Sequence, residues 1–139
     1  MTADEQRPMP TSRSMRQVIV AFACAGLAGF ATAEVIEVKL SPDSVLKRQL
    51  AVPPGKFSEL CATLRRGHVV AWQFRADAPT DFNIHYHVDK RVEYPEQLTQ
   101  AKDAGGRLLV EVDQAYCWMW TNRSAVPIAI EITLKEASR

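Results

Sequence analysis

The chain has 139 residues, 47% of them hydrophobic, with 17 basic side chains against 16 acidic ones. That length suits one domain with one core. The balanced charge leaves no basic footprint for nucleic acid or an anionic membrane, and no like-charge block.

Residues 1–33 read as an N-terminal extension and signal peptide. Arg13 and Arg16 flank an uncharged run, Val18 to Phe30, rich in Ala, Val, Phe and Leu. Ala31-Thr32-Ala33 then supplies the small-x-small pattern for cleavage before Glu34. The uncharged stretch includes two glycines and several alanines, whereas a spanning helix needs about 20 strongly apolar residues. Cleavage is therefore expected, not a retained anchor. Ala21-Phe22-Ala23 before Cys24 lacks the leucine of a lipobox, and Met15 is an alternative start. The expectation is a periplasmic or secreted single domain over residues 34–139.

That domain shows short runs of period-two alternation separated by turn residues. Ile36, Val38 and Leu40 share one face, and Ser41-Pro42-Asp43-Ser44 ends the run. Val45 to Leu50 reads as a short strand or a helical turn, and Val52-Pro53-Pro54-Gly55 as a loop. Leu60, Ala62 and Leu64 alternate against Glu59, Cys61 and Thr63. Arg65-Arg66-Gly67 turns into a run with Val70, Trp72 and Phe74 on one face, and Asp77-Ala78-Pro79-Thr80 is expected to break it. Phe82, Ile84, Tyr86 and Val88 then alternate with Asn83, His85 and His87. Asp89-Lys90 is expected to turn a hairpin that stops at Pro95. Glu96 to Gly106 is the segment expected to carry any helical turn. Leu108, Val110 and Val112 alternate next, Tyr116 to Asn122 is aromatic, and Ile128, Ile130, Ile132 and Leu134 share the last face. About eight strands with almost no helix predict an all-β protein, an antiparallel β-sandwich of jelly-roll type.

With Cys24 removed, the mature domain holds Cys61 and Cys117. An even pair in an exported domain predicts a disulfide. The alternative, two buried thiols, is disfavoured by the compartment.

Over Tyr116-Cys117-Trp118-Met119-Trp120-Thr121-Asn122 the chain resembles the GOLD domain, the lumenal β-sandwich of a family of cargo receptors and of some lipid-transfer proteins. Tyr116, Trp118, Trp120, Asn122 and Ser124 fit its late aromatic strand. Val69 to Phe74 and Phe82 to Tyr86 look like its early strands, and Gly105-Gly106 like the glycine before its penultimate strands. The resemblance spans about residues 61–134. It implies a sandwich that binds proteins or lipids without catalysis, and a disulfide between positions comparable to Cys61 and Cys117. The sequence has no downstream coiled coil, membrane span or cytoplasmic tail, so a cargo-receptor role is not implied.

Three constellations bear on chemistry. His85-x-His87 and Cys117-x-Met119 each present two ligands on one face of a strand. Imidazoles with a thiolate and a thioether suit copper, especially Cu(I), with His68 a possible fifth member. The alternative is that the histidines are polar residues on a solvated face, Met119 is core filler and Cys117 is half a disulfide. Second, Tyr86, Tyr94, Trp118 and Trp120 are candidates for a ligand or partner surface, against the alternative of core packing. Third, Cys117 with a histidine oriented by Asp81 or Asp89 would make a thiol dyad, which no local motif favours. Asn122-Arg123-Ser124 also fits the N-glycosylation pattern. The expectation is a non-catalytic binding module with no cofactor and a protein, peptide or lipid partner outside the cytoplasm. The alternative is a small copper-binding protein using His85, His87, Cys117 and Met119.

Overall fold

The computed structural model describes residues 33–137; the predicted signal peptide, through Thr32, and Cys24 with it, lies outside the described residues. Seven strands form: Glu34–Val38 (β1), Val45–Val52 (β2), Phe57–Leu64 (β3), Val69–Val88 (β4), Arg91–Leu109 (β5), Gln114–Thr121 (β6) and Ile128–Ala137 (β7). No helix occurs among the described residues. The hydrogen-bonded order is β1-β3-β6-β4-β7-β2, with β5 on β4.

β4 organises the fold. β5 pairs with it from Val69 to Val88. Along its other edge, residues 69–76 pair with β7 and residues 81–86 pair with β6. The long β4–β5 hairpin is therefore shared by two sheet halves, one containing β1, β3 and β6, the other β2 and β7. Their inner faces close on a single core in which Phe74 meets Phe82 and Trp120, with ring centroids 4.7 and 5.8 Å apart. Ser58 Oγ of β3 donates to Ala51 O of β2 at 3.1 Å, tying the halves at one side. This is the curled β-sandwich that alternation predicts.

Several details refine or differ from the sequence expectation. Seven strands form, and β1 runs parallel to β3, the other pairs being antiparallel. Val45 to Val52 is a strand throughout, because Leu46 and Leu50 have Leu134 and Ile130 opposite them on β7.

The expected break at Asp77 to Thr80 is instead where β4 exchanges β7 for β6. A missing Pro79 N–H is tolerated there because the ladder shifts register between Arg75 and Thr80. Asp77 Oδ1 accepts the Ala129 N–H at 2.9 Å, and Thr80 Oγ1 donates to Thr121 O at 2.9 Å.

The expected helical turn in Glu96 to Gly106 is strand instead, because β4 pairs with it on both sides of the register shifts around Thr80; within it Gln100 takes the left-handed region, φ 52°. Gly105 and Gly106 serve close approach there. A Cβ on Gly105 would lie 3.0 Å from the Trp72 carbonyl oxygen, and one on Gly106 would lie 3.1 Å from the Trp72 ring.

Candidate functional site

The inward and outward faces sort the candidate residues. Tyr86, Trp118 and Trp120 point into the core, at 7%, 0% and 0% exposure. The aromatic surface read from the sequence therefore reduces to Tyr94, which is 47% exposed. Tyr116 is likewise buried, and the Glu111 and Val112 N–H groups donate to its hydroxyl oxygen from five and four residues upstream. The indole N–H groups of Trp118 and Trp120 find no acceptor among the described residues. Asn122 is fully buried. Its Nδ2 donates to Val52 O and Val126 O at 2.9 and 2.7 Å, and its Oδ1 accepts the Ser124 N–H, so it is a loop staple and no glycan acceptor in the folded domain.

The outward face of β3, β6 and β4 carries the remaining candidates. Strand pairing aligns Glu37, Cys61, Cys117 and His85 in one row, and Val35, Glu59, Met119 and Asn83 in the next. Cys61 and Cys117 face each other and form a disulfide, with Cα atoms 4.1 Å apart. The bond removes Cys117 as a thiolate, so the four-ligand copper set and the thiol dyad read from the sequence are not assembled in the oxidised protein. Asp81, the dyad's possible orienting carboxylate, instead pairs with Arg123. Asp89 sits at the tip of the β4–β5 turn in the left-handed region, φ 53°.

His85, directly opposite Cys117, is only 7% exposed. Its Nδ1 lies 2.8 Å from Asn83 Oδ1. An amide oxygen only accepts, so Nδ1 carries the hydrogen and Nε2 is left with its lone pair in the neutral ring. That Nε2 lies 3.7 Å from Glu59 Oε2. Burial pushes the Glu59 carboxyl up from its ordinary value, partly offset by His87. Burial, with His87 adding, pushes His85 down. Both directions favour the neutral forms, because the half-dry face disfavours either charge. The ligand atoms of Glu59, His85 and Cys117 all lie within 4.8 Å of one another.

The other histidines are not among these ligand atoms. His87 is exposed, its ring 5.5 Å from that of His85 and edge-on to it. His68 is at the far end of β4 and pairs with Glu136 of β7. Met119 is half-buried between Glu59 and Asn83 in the register. Sequence reasoning missed Glu59 and Asn83. The signal was available once Cys61 was paired with Cys117, since that register sets Glu59 opposite Met119.

The cluster sits among exposed apolar groups. Val35 and Phe57 flank Glu59 at 58% and 36% exposure, and Val92, opposite His87, is 37% exposed. The Tyr94 ring lies 6.0 Å from that of His85. Beside the disulfide, Glu37, Val38, Leu40, Thr63 and Ala115 line an open cleft of about 430 Å3.

No protein-family model matches the sequence, and no curated protein matches it. Solved structures do match in fold. A periplasmic inhibitor of g-type lysozyme from Aeromonas hydrophila superposes with TM-score 0.51 at 9% identity, covering 74% of this chain and all of the other. The pre-peptidase C-terminal domain of a Bacillus anthracis collagenase gives 0.54 at 9% identity over 76% and 98%. The Yersinia pseudotuberculosis-derived mitogen gives 0.53 at 8% identity over 66% and 85%. Likeness at this identity is likeness of fold.

Proposed function

We propose that this protein is an exported, non-catalytic binding module that docks a protein partner on the outward face of β1, β3, β6, β4 and the first half of β5. The observation that carries this is the grouping of exposed Val35, Phe57, Val92 and Tyr94 around the Glu59–His85 pair on one disulfide-stapled surface. Apolar and aromatic side chains gathered on a preformed face supply contact area at low ordering cost. The even charge argues for a neutral, shape-selected contact. Export is supported by the N-terminal segment and by the disulfide, which persists in oxidising compartments. A sandwich of this kind serves a periplasmic lysozyme inhibitor, which makes a secreted or cell-wall enzyme the first partner class to try.

The test is photo-crosslinking from residue 94 in the full-length chain expressed in its host, with the captured protein identified by mass spectrometry. Binding of that protein is then compared with the Phe57→Ala, Tyr94→Ala double variant, whose sites are exposed and whose fold should survive. At least a tenfold loss of affinity is expected, in line with removal of aromatic contact residues. Unchanged affinity in the double variant would move the docking surface elsewhere. Direct inhibition of a g-type lysozyme in a cell-wall clearing assay checks the narrower possibility.

A further inference from the structure

The Glu59, His85 and Cys117 ligand atoms gather within 4.8 Å around a sulfur that the disulfide keeps from coordinating. We infer that reducing Cys61–Cys117 converts this spot into a site for one thiophilic cation, Zn2+ or Cu+, held by Cys117, His85 and Glu59, with Cys61 supplying a fourth donor.

Three observations support the inference independently. The spread of the three ligand atoms is close to what one ion requires, since ligands at zinc distances are separated by roughly 3.3–3.8 Å in a tetrahedron. His85 is already oriented as a ligating histidine. Its Nδ1–H is held by Asn83 Oδ1 at 2.8 Å, leaving the Nε2 lone pair facing Glu59; metal-bound histidines are held in the same way by a bond from the other ring nitrogen. Finally, Cys61 and Cys117 are directly opposed, with Cα atoms 4.1 Å apart on paired strands. The two freed sulfurs therefore stay adjacent while β3 and β6 remain paired. Thiolate, imidazole and carboxylate together suit a soft or borderline cation.

The redox step needs a dithiol reductant. Its thiolate attacks one sulfur, the second thiol resolves the mixed disulfide, and the products are a cyclic disulfide and the two protein thiols. Each cysteine that coordinates then releases its proton to solvent. The site uses the Glu59–His85 pair at the centre of the docking surface. Docking is tested at Phe57 and Tyr94 and metal binding at Glu59, His85 and the cysteines, so the failure of one is distinguishable from the failure of the other.

The experiment is anaerobic titration of the dithiol-reduced, metal-free protein with Co2+ as a stand-in for Zn2+, followed by thiolate-to-cobalt charge-transfer absorption. Zn2+ and Cu+ are then compared by native mass spectrometry, which identifies the cation the site retains. One equivalent should bind to the reduced protein, and the oxidised protein should show at least a hundredfold weaker uptake. Glu59→Gln and His85→Ala each leave the cysteines in place and should weaken binding at least tenfold. Asn83→Ala should weaken it less, and removing both cysteines should abolish the charge-transfer band. Far-ultraviolet circular dichroism accompanies each titration to follow any loosening of the fold on reduction, and a metal-induced gain of β signal in a loosened sample counts as site formation. Equal uptake by oxidised and reduced protein would overturn the proposal. So would uptake by the reduced protein that is indifferent to both Glu59→Gln and His85→Ala, which would mark two thiols binding metal without a built site.

Discussion

Removing the Cys61–Cys117 bond probes how this small domain is stabilised. Register holds the two cysteines opposite each other between the pairs Leu60–Trp118 and Ala62–Tyr116. The native strands therefore keep these positions together with or without the bond, and its main effect falls on the unfolded chain. There it closes a loop with a sequence separation of 56, for which chain entropy gives about 4 kcal/mol at 25 °C. A domain of this size shifts its Tm by about 4–8 °C per kcal/mol, so Cys61→Ala with Cys117→Ala should melt roughly 15–30 °C lower. Urea unfolding followed by tryptophan fluorescence reports both midpoint and slope, with Trp118 and Trp120 fully buried as probes. The open chain exposes more surface when unfolded, so the slope should rise as the midpoint falls. A loss under about 1 kcal/mol with an unchanged slope would refute the reasoning, because it would mean the unlinked unfolded chain is already as restricted as the linked one.

Three further outcomes follow from single contacts. Gly105→Ala sets a Cβ 3.0 Å from the Trp72 carbonyl oxygen, a backbone atom that cannot swing aside; a loss of about 1–3 kcal/mol by thermal unfolding is expected from such overpacking. Asn122→Ala removes two donated bonds and one accepted bond from a fully buried loop, and leaving Val52 O without that partner in a buried place should cost about 2–4 kcal/mol in the same assay. Arg123 chiefly, with the Gln100 N–H and amide, holds the Asp81 carboxyl below the usual carboxylate range. Its contribution is therefore present above the unfolded value near 3.9 and is lost as pH falls through the lower folded value. Asp81→Asn should flatten the acid limb of a stability–pH curve below about pH 4.

Beside Ser124, the early strands and the glycine pair, the resemblance to the GOLD domain rested in part on Tyr116, Trp118, Trp120 and Asn122. All four are buried, the first three facing the core and the last bracing a loop. Such a pattern reports how a sandwich fills its interior, which is why it pointed to a fold more than to a ligand. The copper set shows the converse. His85 shares a face with His87, and Cys117 with Met119, as strand geometry requires, and the β4–β6 register brings the two pairs onto one face. Whether Cys117 is a ligand depends on Cys61, and that depends on which strand lies beside β6.

Alternation alone determined which residues share a side of each strand: Phe82, Ile84 and Tyr86 on β4, Ile128 to Leu134 on β7, and the even-numbered aromatics of β6. That Tyr86, Trp118 and Trp120 look inward was decided by the tertiary structure. A side chain's direction relative to its own strand is a local property with period two, so it is written in consecutive residues. Pairing is not local. Only the tertiary structure decided that β4 leaves β7 for β6 near Pro79, that β5 runs extended through Gly105 and Gly106, and that Glu59 arrives beside His85. Backbone N–H and C=O groups are alike in every strand, so a ladder's partner is chosen by the packing of the whole core, which no single stretch of sequence contains.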